Sequence, residues 1–276
     1  MAERVIGDNA VMSMIFSHAN GYPPGSYRAL IAQLEALTGQ TILPFEHRPL
    51  TSQEPAPNTL SWQVFASDLI EAIELNGSEP VWLVGHSMGA AAGILAAARR
   101  PDLFRGIVAL DPVLIPTLTW LQARFFSRFS AKAVPLAARA LSRPHWFESA
   151  DAAFSFYRGK RVFAGVEDGV LRDYVAAAHK ENVGGGVDLR FSGAWEACIY
   201  RSVPRVGPAL KRLQCPCLVV AGSTSDVLTA KRLDWIRRIR PDIDIETLIG
   251  GHLIPLESPE TCAETAARYI ALHAKQ

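Results

Sequence analysis

Few cysteines, no long apolar run and almost no net charge set the first limits on this chain. Four cysteines in 276 residues (Cys198, Cys215, Cys217, Cys262) are too few for a disulfide scaffold. Cys215-Pro216-Cys217 has one residue between its thiols, where common metal and redox motifs have two, so packing is the expected role of all four. No window reaches the uninterrupted apolar length of a membrane span. The segment Met1 to Asn9 carries charges where a signal peptide needs an apolar run, which predicts a cytoplasmic protein without stable membrane anchoring. A formal net charge of +1 offers no general attraction to nucleic acid or to anionic membrane. With 49% hydrophobic and 20% charged residues, the chain can bury one large core or a core with an inserted subdomain. Small molecules are therefore the expected partners.

The most informative stretch runs from Pro80 to Gly93. An apolar strand (Val81, Trp82, Leu83, Val84) breaks into Gly85-His86-Ser87-Met88-Gly89 and then an alanine-rich helix former. Gly-x-Ser-x-Gly between strand and helix is a nucleophile elbow, where the flanking positions must lack bulk because helix and strand nearly touch. The bare string would occur by chance in roughly one chain of this length in ten. Its context raises its weight.

Around it the pattern alternates. Val11 to Phe16 reads as a strand, followed by a turn-rich loop (Ser17 to Pro24) and a helix from about Ser26 to Leu37 that stops at Gly39. A strand from Thr41 to Phe45, a helix from Trp62 to Leu75, the elbow, and a strand from Gly106 to Leu110 continue it. This alternation predicts a parallel sheet with helices on both faces. It stops at Pro112. From Val113 to Arg205 the sequence predicts helices and loops and no strand, with aromatics such as Trp120, Phe125, Phe126 and Phe129, and thirteen Lys or Arg against eight Asp or Glu. The pattern resumes with strands from Cys217 to Ala221 and Ile243 to Ile249, a helix from Thr229 to Arg240, and a last helix with Ser258 as N-cap and Pro259 at its first position. The expected division is a core of residues 1–111 and 206–276 interrupted by a helical insertion, 112–205.

A serine hydroxyl attacks only when a base takes its proton, and the base needs an acid to orient it. In parallel sheets such groups collect at the carboxyl ends of the strands. His252 lies in the loop after a late strand, behind Gly250-Gly251, which makes it the candidate base. Two aspartates follow strands. Asp226 gives the order serine, aspartate, histidine and is the expected acid; Asp111 is the alternative, although Asp-Pro is also a common way to leave a strand. The Met88 N–H at the elbow is an expected oxyanion donor, with a second main-chain donor from the loop after the first strand. His18 reads as a structural hydrogen-bonder and His86, beside the serine, as a packing residue.

Gly85-His86-Ser87-Met88-Gly89, the loop His18-Ala19-Asn20-Gly21, an aspartate after the penultimate core strand and Gly251-His252 after the last together resemble the α/β-hydrolase fold enzymes, specifically cap-bearing esterases and lipases. That resemblance implies Ser87 as nucleophile, His252 as base, Asp226 as acid, Asn20 and Met88 as oxyanion donors, and the insertion as a cap over an acyl or alcohol pocket. It implies no metal and no cofactor. Ala19 stands where the family usually has glycine, and the short N-terminus predicts that one or two of the family's eight strands are missing or rudimentary. The expected activity is hydrolysis of a small ester with an apolar part; the same triad acting on a thioester or a C–C bond, or in acyl transfer, is the alternative. A ligand-binding protein on a hydrolase scaffold is the non-enzymatic one.

Overall fold

The computed structural model describes residues 13–77, 79–121 and 135–274. The reading of Met1 to Asn9 and the aromatics Phe125, Phe126 and Phe129 lie outside them. Strands β1 (Met14–Ser17), β2 (Ile42–Phe45), β3 (Val81–His86) and β4 (Phe104–Leu110) alternate with helices Arg28–Thr38, Gln63–Leu75 and Met88–Ala97. Each β-run is rich in branched or aromatic residues, and the first helix ends where Gly39 takes a left-handed conformation (φ 65°). After β4 the chain leaves the sheet. Helices Ala150–Arg158, Asp168–Ala178 and Gly193–Arg201 accompany three short strands, β5 (Trp146–Phe147), β6 (His179–Glu181) and β7 (Val187–Leu189).

These three strands form an antiparallel sheet of order β5-β7-β6, which departs from the expected strandless insertion. The hairpin between β6 and β7 turns on Gly185 and Gly186, both at positive φ, and strands of two or three residues are too short to show a period of two.

The chain returns to the main sheet through β8 (Cys217–Gly222) and β9 (Asp244–Leu248), with helix Ala230–Ile239 between them and helix Pro259–His273 at the end. The main sheet has the order β2-β1-β3-β4-β8-β9, and every neighbouring pair is parallel. This is the expected α/β-hydrolase architecture, with six strands among the described residues. Alternation along the strands feeds two cores: Ile15 and Leu83 face one with Trp62, Phe65 and Leu69, while Met14, Phe16 and Val84 face the other with Leu30, Leu34 and Ile270. Helix Met88–Ala97, built of Ala and Gly with Met88, Ile94 and Leu95, is buried along its whole length. Register pairs Ser17 with Gly85, Gly85 with Ala109, and Ala109 with Val219, so the loops that follow these strands leave along one edge. Among the described residues no helix is long and apolar enough to cross a membrane.

Candidate active site

Ser87 takes φ 52° and ψ −110°, a backbone position that costs a β-carbon residue about 1–3 kcal/mol and persists only where its surroundings impose it. They do so here. The Ser87 N–H donates to Leu110 O at 3.0 Å, and its carbonyl accepts from Ala91 N–H at 3.1 Å and Val113 N–H at 3.3 Å. Gly89 is required by close approach, since a β-carbon there would lie 2.1 Å from Ser17 O and 2.6 Å from His18 O. The loop after β1 is thereby seated directly on the start of the elbow helix.

His252 Nε2 lies 3.0 Å from Ser87 Oγ, and its Nδ1 lies 2.6 Å from Asp111 Oδ2. With the Nδ1 proton donated to the carboxylate, Nε2 is left to accept from the serine hydroxyl. The expected acid is therefore corrected: Asp111, not Asp226, faces the imidazole. Asp111 is fully buried and takes φ 40°, a left-handed exit from β4 that an aspartate tolerates and that turns its carboxylate back over the sheet. The loop after β8, expected to supply the acid, supplies donors instead. Gly222 N–H bonds Asp111 Oδ1 at 3.0 Å, and the Ser225 hydroxyl bonds Oδ2 at 2.6 Å. Asp226 itself is exposed at the outside of that loop.

Two further residues hold the histidine. His86 is fully buried, and burial drives its pKa well below the ordinary value, so the ring is neutral. Its Nε2–H donates to the main-chain carbonyl of His252 at 2.9 Å, and its Nδ1 accepts from Tyr27 O–H at 2.7 Å. Tyr27 in turn accepts from Ala19 N–H at 3.3 Å. One chain of hydrogen bonds thus joins the loop after β1 to the loop carrying His252, and His86 does more than pack. His18 meets expectation: burial lowers its pKa to about 4, its Nδ1–H donates to Ala19 O, and its Nε2 accepts from His47 N–H. His47 and His179 are also buried and hydrogen-bonded. The Asn20 and Met88 main-chain N–H groups have no hydrogen-bond acceptor among the described residues. The Asn20 side chain donates to Glu196 O at 3.1 Å, tying this loop to helix Gly193–Arg201.

A family model described as "Alpha/beta hydrolase family" matches residues 14–265. The chain belongs to the alpha/beta hydrolase family. Among its relatives are a 2-(acetamidomethylene)succinate hydrolase from Mesorhizobium japonicum, 26% identical over 208 residues (75% of this chain, 69% of the relative). Another is the sn-1-specific diacylglycerol lipase ABHD11 of Mus musculus, 22% identical over 266 residues (96% of this chain, 83% of the relative). A solved structure of an E-2-(acetamidomethylene)succinate hydrolase superposes with a TM-score of 0.76 at 23% identity, covering 95% of this chain and 92% of that one, a likeness of fold.

In this alpha/beta hydrolase a second polar group lies beside the loop after β1. Arg143 Nη1 donates to Glu196 Oε2 at 2.6 Å, Nε donates to Tyr157 OH at 3.3 Å, and Nη2 donates to Tyr174 OH. Tyr22 and Tyr200 lie within electrostatic range of the pair, and burial raises the pKa of both phenols. No sequence motif announces this group, because its members come from the loop after β1 and from four separate parts of the segment between β4 and β8.

Proposed function

We propose that this hydrolase cleaves carboxylic esters through an acyl-enzyme on Ser87. The observation that carries the reading is the continuous line from Ser87 Oγ through His252 to a fully buried Asp111. His252 takes the serine proton as Oγ attacks the ester carbonyl, then returns it to the leaving alkoxide. Asp111, accepting from Gly222 N–H, the Ser225 hydroxyl and His252, holds the imidazole in the tautomer that accepts from serine and stabilises the imidazolium that forms. The oxyanion forms toward the main-chain N–H groups of Met88 and Asn20, the first at the positive end of a helix. Water activated by the same imidazole then releases the acid. Each step uses these side chains, the main-chain N–H groups and water.

The inserted residues 112–205 act in this reading as a cap. Support comes from the Asn20–Glu196 bond and from the Tyr22 ring against Phe163 and Tyr174 at 6.1 and 5.3 Å, which bring that segment to the loop of the oxyanion donors. The substrate is a small ester with an apolar part, in keeping with a lipase among the relatives. The test is a p-nitrophenyl acetate burst with fluorophosphonate labelling. A stoichiometric burst and labelling that both vanish in Ser87→Ala are expected; turnover that survives this substitution would refute the acyl-enzyme.

A further inference from the structure

The Arg143–Glu196 pair is a buried cation whose charge is already cancelled, yet its hydrogen-bonding capacity is not used up. Both side chains retain about a tenth of their surface, 12% and 11%. Glu196 Oε2 is taken by Arg143, while Oε1 has no hydrogen-bond partner among the described residues. The hydroxyls of Tyr22 and Tyr200 have none either, and neither they nor Oε1 belong to the buried unpartnered atoms, which are Asn20 Oδ1, Ser26 Oγ and His47 Nδ1. Glu196 Oε1 and the two hydroxyls are thus unpartnered polar atoms within electrostatic range of a buried ion pair, each with a little accessible surface.

Gly21 lies directly against the ion pair. A β-carbon on Gly21, which takes φ +79°, would lie 3.1 Å from Glu196 Oε1 and 3.3 Å from Arg143 Nη1. The missing side chain lets this loop pack directly against the pair, one residue beyond Asn20, whose N–H is assigned to the oxyanion.

Resting on the ester-hydrolase reading, we propose that Glu196 Oε1, Arg143 and the hydroxyls of Tyr22 and Tyr200 form a subsite for a neutral hydroxyl-bearing group of the substrate, and that this subsite excludes a free carboxylate. An unpaired guanidinium would recruit an anion. Here Glu196 removes the net charge and presents a carboxylate oxygen to the incoming group, so a second carboxylate meets like charge in a site of low dielectric. A hydroxyl donates to Glu196 Oε1 and accepts from a phenol or guanidinium N–H, leaving no charge uncompensated.

The test uses the whole enzyme and two trios of esters, followed by pH-stat. Propyl, 2,3-dihydroxypropyl and 2-carboxyethyl butyrates vary the alcohol side; methyl hexanoate, methyl 6-hydroxyhexanoate and monomethyl adipate vary the acyl side. In one trio the hydroxylated ester should exceed the apolar one in kcat/KM by about three- to tenfold, the worth of one or two neutral hydrogen bonds, with the carboxylate ester lowest. In Tyr200→Phe the ratio of hydroxylated to apolar rates should fall, and in Glu196→Gln the ratio of carboxylate to hydroxylated rates should rise, each about threefold or more. If Glu196→Gln fails to fold, Tyr200→Phe carries the test, since it removes only an unpartnered hydroxyl. A wild-type preference for the carboxylate or the apolar ester in both trios overturns the subsite, as do ratios unmoved in the variants. An enzyme that hydrolyses none of the six and is not labelled by a fluorophosphonate overturns the ester-hydrolase reading itself.

Discussion

Replacing Asp111 with asparagine tests the arrangement at its most specific point. The carboxylate accepts three hydrogen bonds: from Gly222 N–H on Oδ1, and from the Ser225 hydroxyl and His252 Nδ1–H on Oδ2. Asparagine is isosteric and tolerates the left-handed backbone, but it has one acceptor oxygen and one NH2. If its oxygen keeps Gly222, the NH2 faces His252 Nδ1, the imidazole proton moves to Nε2, and Ser87 loses its base. If its oxygen faces His252, the NH2 opposes the Gly222 N–H in a buried site. Either orientation should lower kcat for p-nitrophenyl acetate by about 10³–10⁴, as wrong-tautomer substitutions do in serine hydrolases. At 1.36 kcal/mol per tenfold that is about 4–5.5 kcal/mol of transition-state stabilisation. Asp226→Asn, at an exposed position, should stay within about twofold of wild type. Thermal unfolding of both variants separates loss of the site from loss of the fold. The assignment is refuted if Asp226→Asn is the more damaging change, or if folded Asp111→Asn keeps more than a tenth of the activity.

Tyr27→Phe leaves Ala19 N–H and His86 Nδ1 without a partner, and should lower stability by about 1–3 kcal/mol in urea titration and kcat several-fold; unchanged values would show that the chain from Tyr27 to His252 positions nothing. Gly89→Ala places a β-carbon 2.1 Å from Ser17 O and should cost about 1–3 kcal/mol or more, together with most turnover, read by unfolding and by burst amplitude. Acid should destabilise the fold early. Burial holds His18 at a pKa of about 4, and burial also holds His47 and His86 well below the ordinary value. The folded state keeps these rings neutral while the unfolded chain protonates them, so stability is full above about pH 6.5 and falls as pH drops toward 4. His18 alone accounts for about 2 kcal/mol of that loss at pH 5. A urea midpoint that stays flat between pH 7 and 4.5 would contradict the buried neutral histidines.

The periodic parts of this molecule were legible in its sequence because their signals are local. Strand and helix alternation, the small residues flanking Ser87 and the glycines before His252 each state their role within a few positions, and the six-stranded sheet follows them. What was not legible depends on which strand lies beside which. Both Asp111 and Asp226 fall between Ser87 and His252 in the chain, so the order serine, aspartate, histidine cannot choose between them. The sheet order chooses. β4 lies between β3 and β8, which puts the exit of β4 next to the elbow and within reach of donors from the loop after β8.

The insertion carries five surplus positive charges by count, which as a bulk figure favours anionic substrates. Among the described residues, the buried Arg143 is matched by Glu196, fifty-three residues away in sequence, while Arg172 and Arg158 pair at the surface with Asp151 and Asp168. Surface pairs of that kind contribute little to binding or stability. The proposed subsite accordingly rests on the local cancellation at Glu196 and not on a count of charges along the chain.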